Sequence, residues 1–110
     1  MPPSNLGELE QLVLLAVARL GDDAYGVTVR REIATRTRRD LSFGSVYATL
    51  NRLEAKQLVA SHLGDPTPER GGKAKRYFRV TREGLRQVHD TRRVLKKMWR
   101  TLPELKGEGT

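Results

Sequence analysis

The chain has 110 residues, with 21 lysines and arginines against 13 aspartates and glutamates for a net charge of +8, and it has no cysteine. That length supports one modest core and no second folded domain, and the missing thiols exclude disulfides, cysteine nucleophiles and thiolate metal sites. No stretch reaches the roughly 20 apolar residues of a membrane helix, and Met1-Pro2-Pro3-Ser4-Asn5 lacks the basic-then-apolar layout of a signal peptide, so a soluble cytoplasmic protein is expected.

Over residues 6–20, Leu6, Leu9, Val13, Ala16, Val17 and Leu20 recur at helical spacing, and Leu12, Leu14 and Leu15 widen the stripe. This predicts a buried first helix, capped by Ser4 or Asn5 and followed by a turn at Gly21-Asp22-Asp23. A second helix over about 24–37 buries Tyr25, Val29 and Ile33, and Arg36, Arg38 and Arg39 crowd the connection after it. Such a cluster is either a solvated surface or a set of phosphate contacts beside a DNA-binding motif.

The third helix is expected over 42–57, with the Ser42 hydroxyl as its cap and Val46, Leu50 and Leu53 turned inward. Its opposite face carries Gly44, Ala48, Asn51 and Ala55. Ser45, Thr49, Arg52 and Lys56 form one flank of that face, and Phe43, Tyr47 and Glu54 the other. Residues 58–63 and 75–80 read as two strands of a hairpin with a tip rich in Gly and Pro over 64–73. Thr81 is placed to cap a last helix reaching about Leu102, with Glu83 in its first turn and Pro103 beyond its end. The order is helix, helix, helix, strand, strand, helix: a mainly α fold with a small β-hairpin.

Three helices and a hairpin in this order are how winged helix-turn-helix domains lay one helix in the major groove and the hairpin along the adjacent backbone. A helix approaching base edges cannot present bulky aliphatics, so Gly44, Ala48 and Asn51 beside Ser45 and Thr49 fit that task, although small polar residues also suit an ordinary solvent-facing helix. The hairpin tips the balance toward DNA. Arg70-Gly71-Gly72-Lys73-Ala74-Lys75-Arg76 puts four cations around a glycine pair directly after the candidate reading helix.

The residues are also recognisable as a set. Ala24-Tyr25-Gly26-Val27, Gly44-Ser45-Val46-Tyr47-Ala48-Thr49-Leu50-Asn51-Arg52-Leu53-Glu54 through Gln57-Leu58-Val59, and Lys75-Arg76-Tyr77-Phe78-Arg79-Val80-Thr81-Arg82-Glu83-Gly84 closely resemble the PadR family of transcriptional regulators, over about residues 6–102. The resemblance implies a winged helix-turn-helix domain, a C-terminal dimerisation helix, and a repressor that releases its operator when an effector binds. Gln57 stands where many members have glycine, so the turn before the first wing strand is expected to be made differently here.

The expected organisation is a DNA-binding domain over 1–80, a dimerisation helix over 81–103 and a flexible tail over 104–110. DNA contacts are expected from Ser42, Gly44, Ser45, Tyr47, Ala48, Thr49, Asn51 and Arg52 on the third helix and from Arg70, Lys73, Lys75 and Arg76 on the wing. In the last helix Leu85, Val88, Leu95, Trp99 and Leu102 follow a three-four alternation interrupted by Arg92, longer than one small domain can cover, which argues for a homodimer. Trp99 reads either as an anchor of the dimer core or as a platform for a small flat aromatic effector.

His62 and His89 lack metal-ligand spacing, and no carboxylate pairs with a histidine or nucleophilic serine, so no metal, cofactor or enzymatic activity is expected. The partners implied are double-stranded DNA and a second copy of the chain. The function reads as a sequence-specific repressor on a palindromic operator. The alternative, a nonspecific architectural DNA- or RNA-binding protein, is opposed by an aromatic content of 5%, which leaves few rings to stack on single-stranded bases.

Overall fold

The computed structural model describes residues 6–65 and 74–103. Helix α1 (Glu8–Leu20) turns Val13, Leu14, Ala16 and Val17 into the core. Its N-cap is Gly7, whose N–H is taken by the Glu10 carboxylate at 3.2 Å, while the expected caps Ser4 and Asn5 lie outside the described residues. Gly21, at φ 58, opens a short 3-10 turn (Gly21–Asp23).

Helix α2 (Gly26–Thr37) starts two residues later than the pattern suggested, because Ala24 and Tyr25 are extended. The Ala24 carbonyl accepts from Phe78 N–H at 2.8 Å, so this stretch runs beside the hairpin before the helix can begin. Val29 and Ile33 are buried and Tyr25 is half-buried. Helix α3 (Phe43–Ala55) is capped by Ser42 as expected, the hydroxyl accepting from Ser45 N–H at 3.0 Å. It buries Val46, Thr49, Leu50 and Leu53.

The chain leaves α3 at Gln57, which itself takes the left-handed φ of 63. The turn is therefore made by glutamine in the conformation glycine adopts without strain. Strands β1 (Val59–Leu63) and β2 (Arg76–Val80) pair antiparallel with Ser61 opposite Phe78, and each starts one residue later than expected. Helix α4 (Arg82–Trp99) is capped by Thr81, which accepts from Gly84 N–H at 3.0 Å and donates to the Gln57 carbonyl at 2.8 Å.

One core joins the three first helices to the hairpin through Val13, Leu14, Val17, Val29, Val46, Leu50, Leu53, Leu58 and Phe78. Gly84 fixes how α4 leaves it, since a Cβ there would lie 2.2 Å from the Leu58 carbonyl oxygen. Helix α4 ends at Trp99, earlier than predicted: Arg100 is extended, Thr101 has φ 56, and Pro103 disfavours helical backbone at the residue before it. Leu102 therefore falls beyond the helix and continues no seam along it. No helix among the described residues is long and apolar enough to cross a membrane.

Candidate nucleic-acid interface

Helices α2 and α3 are joined by a five-residue connection, and Arg30 ties it down. Its guanidinium donates to the Leu41 carbonyl at 2.5 Å and to Asp40 at 2.9 Å, and lies 4.5 Å from the centre of the Phe43 ring. Gly26 sets the approach of the two helices. A Cβ at position 26 would stand 2.2 Å from the Tyr47 ring, so only glycine lets that ring lie across the start of α2. Gly26 was legible only as part of a family motif, because its reason is a ring that arrives from twenty-one positions away.

The outer face of α3 is exposed at Ser42, Gly44, Ser45, Tyr47, Ala48, Asn51, Arg52 and Ala55. Thr49 departs from the expectation. It is 0% exposed, and its hydroxyl donates to the Ser45 carbonyl at 2.8 Å, so its place is the core-facing side and not the outer flank. The physical reason is that α1 packs close against that flank: Glu10 of α1, itself buried, accepts from Lys56 at 2.8 and 3.0 Å and lies 3.7 Å from Arg52 Nε. Arg52 and Lys56 thus line the α1 side of the helix. The Glu10 carboxyl sits below the usual carboxylate range. Burial opposes that shift, and the hydrogen bond from Lys56 together with the charges of Lys56 and Arg52 prevails.

Along the other flank the wing meets the helix. Arg76 at the start of β2 donates to Asn51 Oδ1 at 3.0 Å and pairs with Glu54, whose other oxygen accepts from the Ser61 hydroxyl at 2.5 Å. Glu54 is held below its usual range by the Ser61 hydrogen bond and then by Arg76. Glu54 was placed on this flank by its spacing, but its partners across the hairpin had no sequence signal. Lys75 packs over the Tyr25 ring, 4.4 Å from its centre, and its ammonium reaches the Tyr25 hydroxyl at 3.3 Å. Tyr77 meets Tyr25 edge-on at 5.4 Å and stacks on His62 at 5.8 Å.

Arg70 and Lys73, the remaining wing cations expected to meet phosphate, lie outside the described residues. Of the arginines near the α2–α3 connection, Arg36 pairs with Glu32 at 2.6 Å and Arg39 with Glu8 at 2.9 and 3.1 Å. Arg38 closes α2 with φ 61 and is exposed.

The distal half of α4 carries no buried residue. Leu85 is 45% exposed, Leu95 47% and Trp99 69%, and Val94 and Met98, which the seam pattern omitted, are exposed beside them. Val88 alone of the seam packs partly against the core.

A family model described as the transcriptional regulator PadR-like family matches residues 14–90. An uncharacterised protein of Lysinibacillus sphaericus is 31% identical over 101 residues, covering 90% of this chain and 84% of that protein. Among solved structures, a PadR family transcription regulator from Clostridium difficile R20291 superposes with a TM-score of 0.67 at 24% identity, over 84% of this chain and 94% of the other. A PadR family transcriptional regulator from Eggerthella lenta DSM 2243 gives 0.61 at 27% identity, over 86% and 88%.

Proposed function

The chain belongs to the PadR-like family of transcriptional regulators, and from that premise we propose that it is a sequence-specific repressor that binds a palindromic operator as a homodimer and leaves it when a small effector binds. It is a DNA-binding regulator and not an enzyme. The observation that carries the reading is the exposed strip Gly44, Ala48, Asn51 and Ala55 on α3. No side chain there is large enough to hold the helix away from a base edge, so the rod can sit deep in a major groove about 12 Å wide.

On this reading Asn51 and Ser45 contact bases, and Ser42, Tyr47 and Arg52 meet the sugar-phosphate ridges on either side. Arg70, Lys73 and Lys75 neutralise phosphate along the adjoining backbone. Thr49 takes no part. Residues 1–80 form the DNA-binding unit and 81–103 the dimerising segment.

One observation and one general argument support the second copy. A helical segment with no packing partner is only marginally stable in water, yet α4 runs 18 residues with its distal apolar side chains uncovered. A pair of reading helices also multiplies discrimination, since one helix touches few base pairs. Trp99 then stands where two α4 helices meet, either as an anchor of that contact or as a surface for a flat aromatic effector. Quenching of its fluorescence by such compounds reports the second role.

The test is selection of bound fragments from genomic DNA at a stated, moderate salt concentration. Enrichment of an inverted repeat with half-sites about 10 base pairs or a multiple apart is expected. Enrichment of no motif would overturn the regulatory reading in favour of nonspecific binding.

A further inference from the structure

We propose that Arg76 is a specificity-determining residue that acts through Asn51: by holding the Asn51 amide oxygen, it fixes which hydrogen-bonding end of that side chain is offered to a base. The inference rests on the reading of α3 as the base-contacting helix.

Arg76 is gripped from three sides. Its guanidinium pairs with Glu54, lies 4.8 Å from the centre of the Phe78 ring and donates to Asn51 Oδ1 at 3.0 Å. Glu54 is itself fixed by the Ser61 hydroxyl, so an arginine on one wing strand and a serine on the other clamp a single carboxylate of α3. A guanidinium has donors only. The amide atom facing it must therefore be oxygen, because the turned amide would set N–H against N–H and leave an arginine donor unpaired.

That arrangement leaves Asn51 Nδ2 with no partner among the described residues. The end available to DNA is a donor. In the major groove guanine N7 and O6, adenine N7 and thymine O4 accept, whereas cytosine presents only its N4 amine. Asn51 thus favours an acceptor and disfavours cytosine on the strand it faces. Once released from Arg76, the amide can turn and give its oxygen to that amine. A plain phosphate contact, the role the sequence suggested for Arg76, needs only positive charge. The clamp needs the planar fork that spans Glu54 and Asn51 together, which lysine lacks.

The experiment selects bound duplexes from a randomised pool with wild type, R76K, R76M, E54Q and N51A, and then measures affinity for the winners across salt. N51A and R76K are expected to relax the preference at one and the same base pair of each half-site, losing about fivefold to tenfold discrimination against cytosine. Other positions stay unchanged, and R76K keeps the wild-type salt dependence. E54Q, which loosens the anchor on Arg76 without replacing either partner of the Asn51 bond, relaxes the same position.

If R76K and E54Q discriminate as wild type does, or if R76M merely weakens all sequences alike with a shallower salt dependence, Arg76 is a phosphate contact. The inference then fails while base reading stands. If wild type itself shows no preference, or N51A alters none, base reading at Asn51 fails and the inference goes with it.

Discussion

Glu10 is 7% exposed, faces Lys56 and Arg52 across the α1–α3 contact, and also holds the N–H that begins α1. Replacing it with glutamine removes the charge from a buried, charge-assisted site while its two cations remain half in water, so a loss of about 1–2 kcal/mol in denaturant unfolding at pH 7 is expected. The pH dependence follows from the direction of the shift. A carboxyl whose folded value lies below its ordinary 4.5 adds stability above that value and loses it as pH falls through the folded one. The gap between parent and E10Q should therefore be full at neutral pH and close in acid below about 4.5. Gln57, at φ 63, gives the opposite sign: Gln57→Gly relieves left-handed strain and should raise stability by up to about 1 kcal/mol, whereas Gln57→Val should lower it. Thr49 marks where residue-level reading failed. A small polar residue beside Ser45 and Arg52 matches a DNA flank by its chemistry, yet Thr49 stands three residues after Val46 and four before Leu53, on the edge of the core face, and its hydroxyl is satisfied by the Ser45 carbonyl one turn back. Thr49→Val should accordingly alter stability and leave DNA sequence preference untouched.

At the scale of elements, helix periodicity and capping hydroxyls carried most of the information. Ser42 and Thr81 cap α3 and α4 at the predicted places, and the alternation of residues 59–63 and 76–80 produces the paired strands. The boundaries that shifted did so for different reasons. Helix α2 starts late for a tertiary one, because Ala24 bonds to Phe78, whereas α4 ends at a local break in which Arg100 is extended and Thr101 takes φ 56. The phase of α4 also depends on one residue whose reason is not local. Gly84 admits the Leu58 carbonyl oxygen where a Cβ would stand at 2.2 Å, so Gly84→Ala should destabilise the fold by about 2 kcal/mol or more and shift the helix outward. Within the first turn Glu83 is pulled down to about 2, chiefly by the Arg86 hydrogen bond and then by Gln87, so it stays ionised at the positive end of α4 through ordinary pH. Farther along, Leu95→Glu tests the proposed dimer. Sedimentation should show a monomer with less helix by circular dichroism, and an unchanged assembly would remove α4 from the contact.

For the whole molecule, a positive net charge of +8 is divided between two tasks. Several cations are paired internally, Lys56 with Glu10, Arg76 with Glu54 and Arg39 with Glu8, so overall basicity overstates the charge left free for a polyanion. This division was not legible in composition, because the pairings join residues up to 46 positions apart. On the proposed reading the wing lysines meet phosphate. Lys73→Ala with Lys75→Ala should weaken binding to all sequences alike and reduce the slope of log affinity against log salt by about 2.

The claim on which the rest depends is that the narrow outer strip of α3 enters the groove, and Ala48 lies exposed at its middle. The most direct measurement is the affinity of Ala48→Phe and wild type for the selected inverted repeat and for random duplex at one salt concentration, beside their thermal midpoints. With unchanged midpoints, Ala48→Phe is expected to lose its preference for the repeat while keeping salt-dependent binding to random DNA. Binding of the repeat by Ala48→Phe as tightly as by wild type would contradict it.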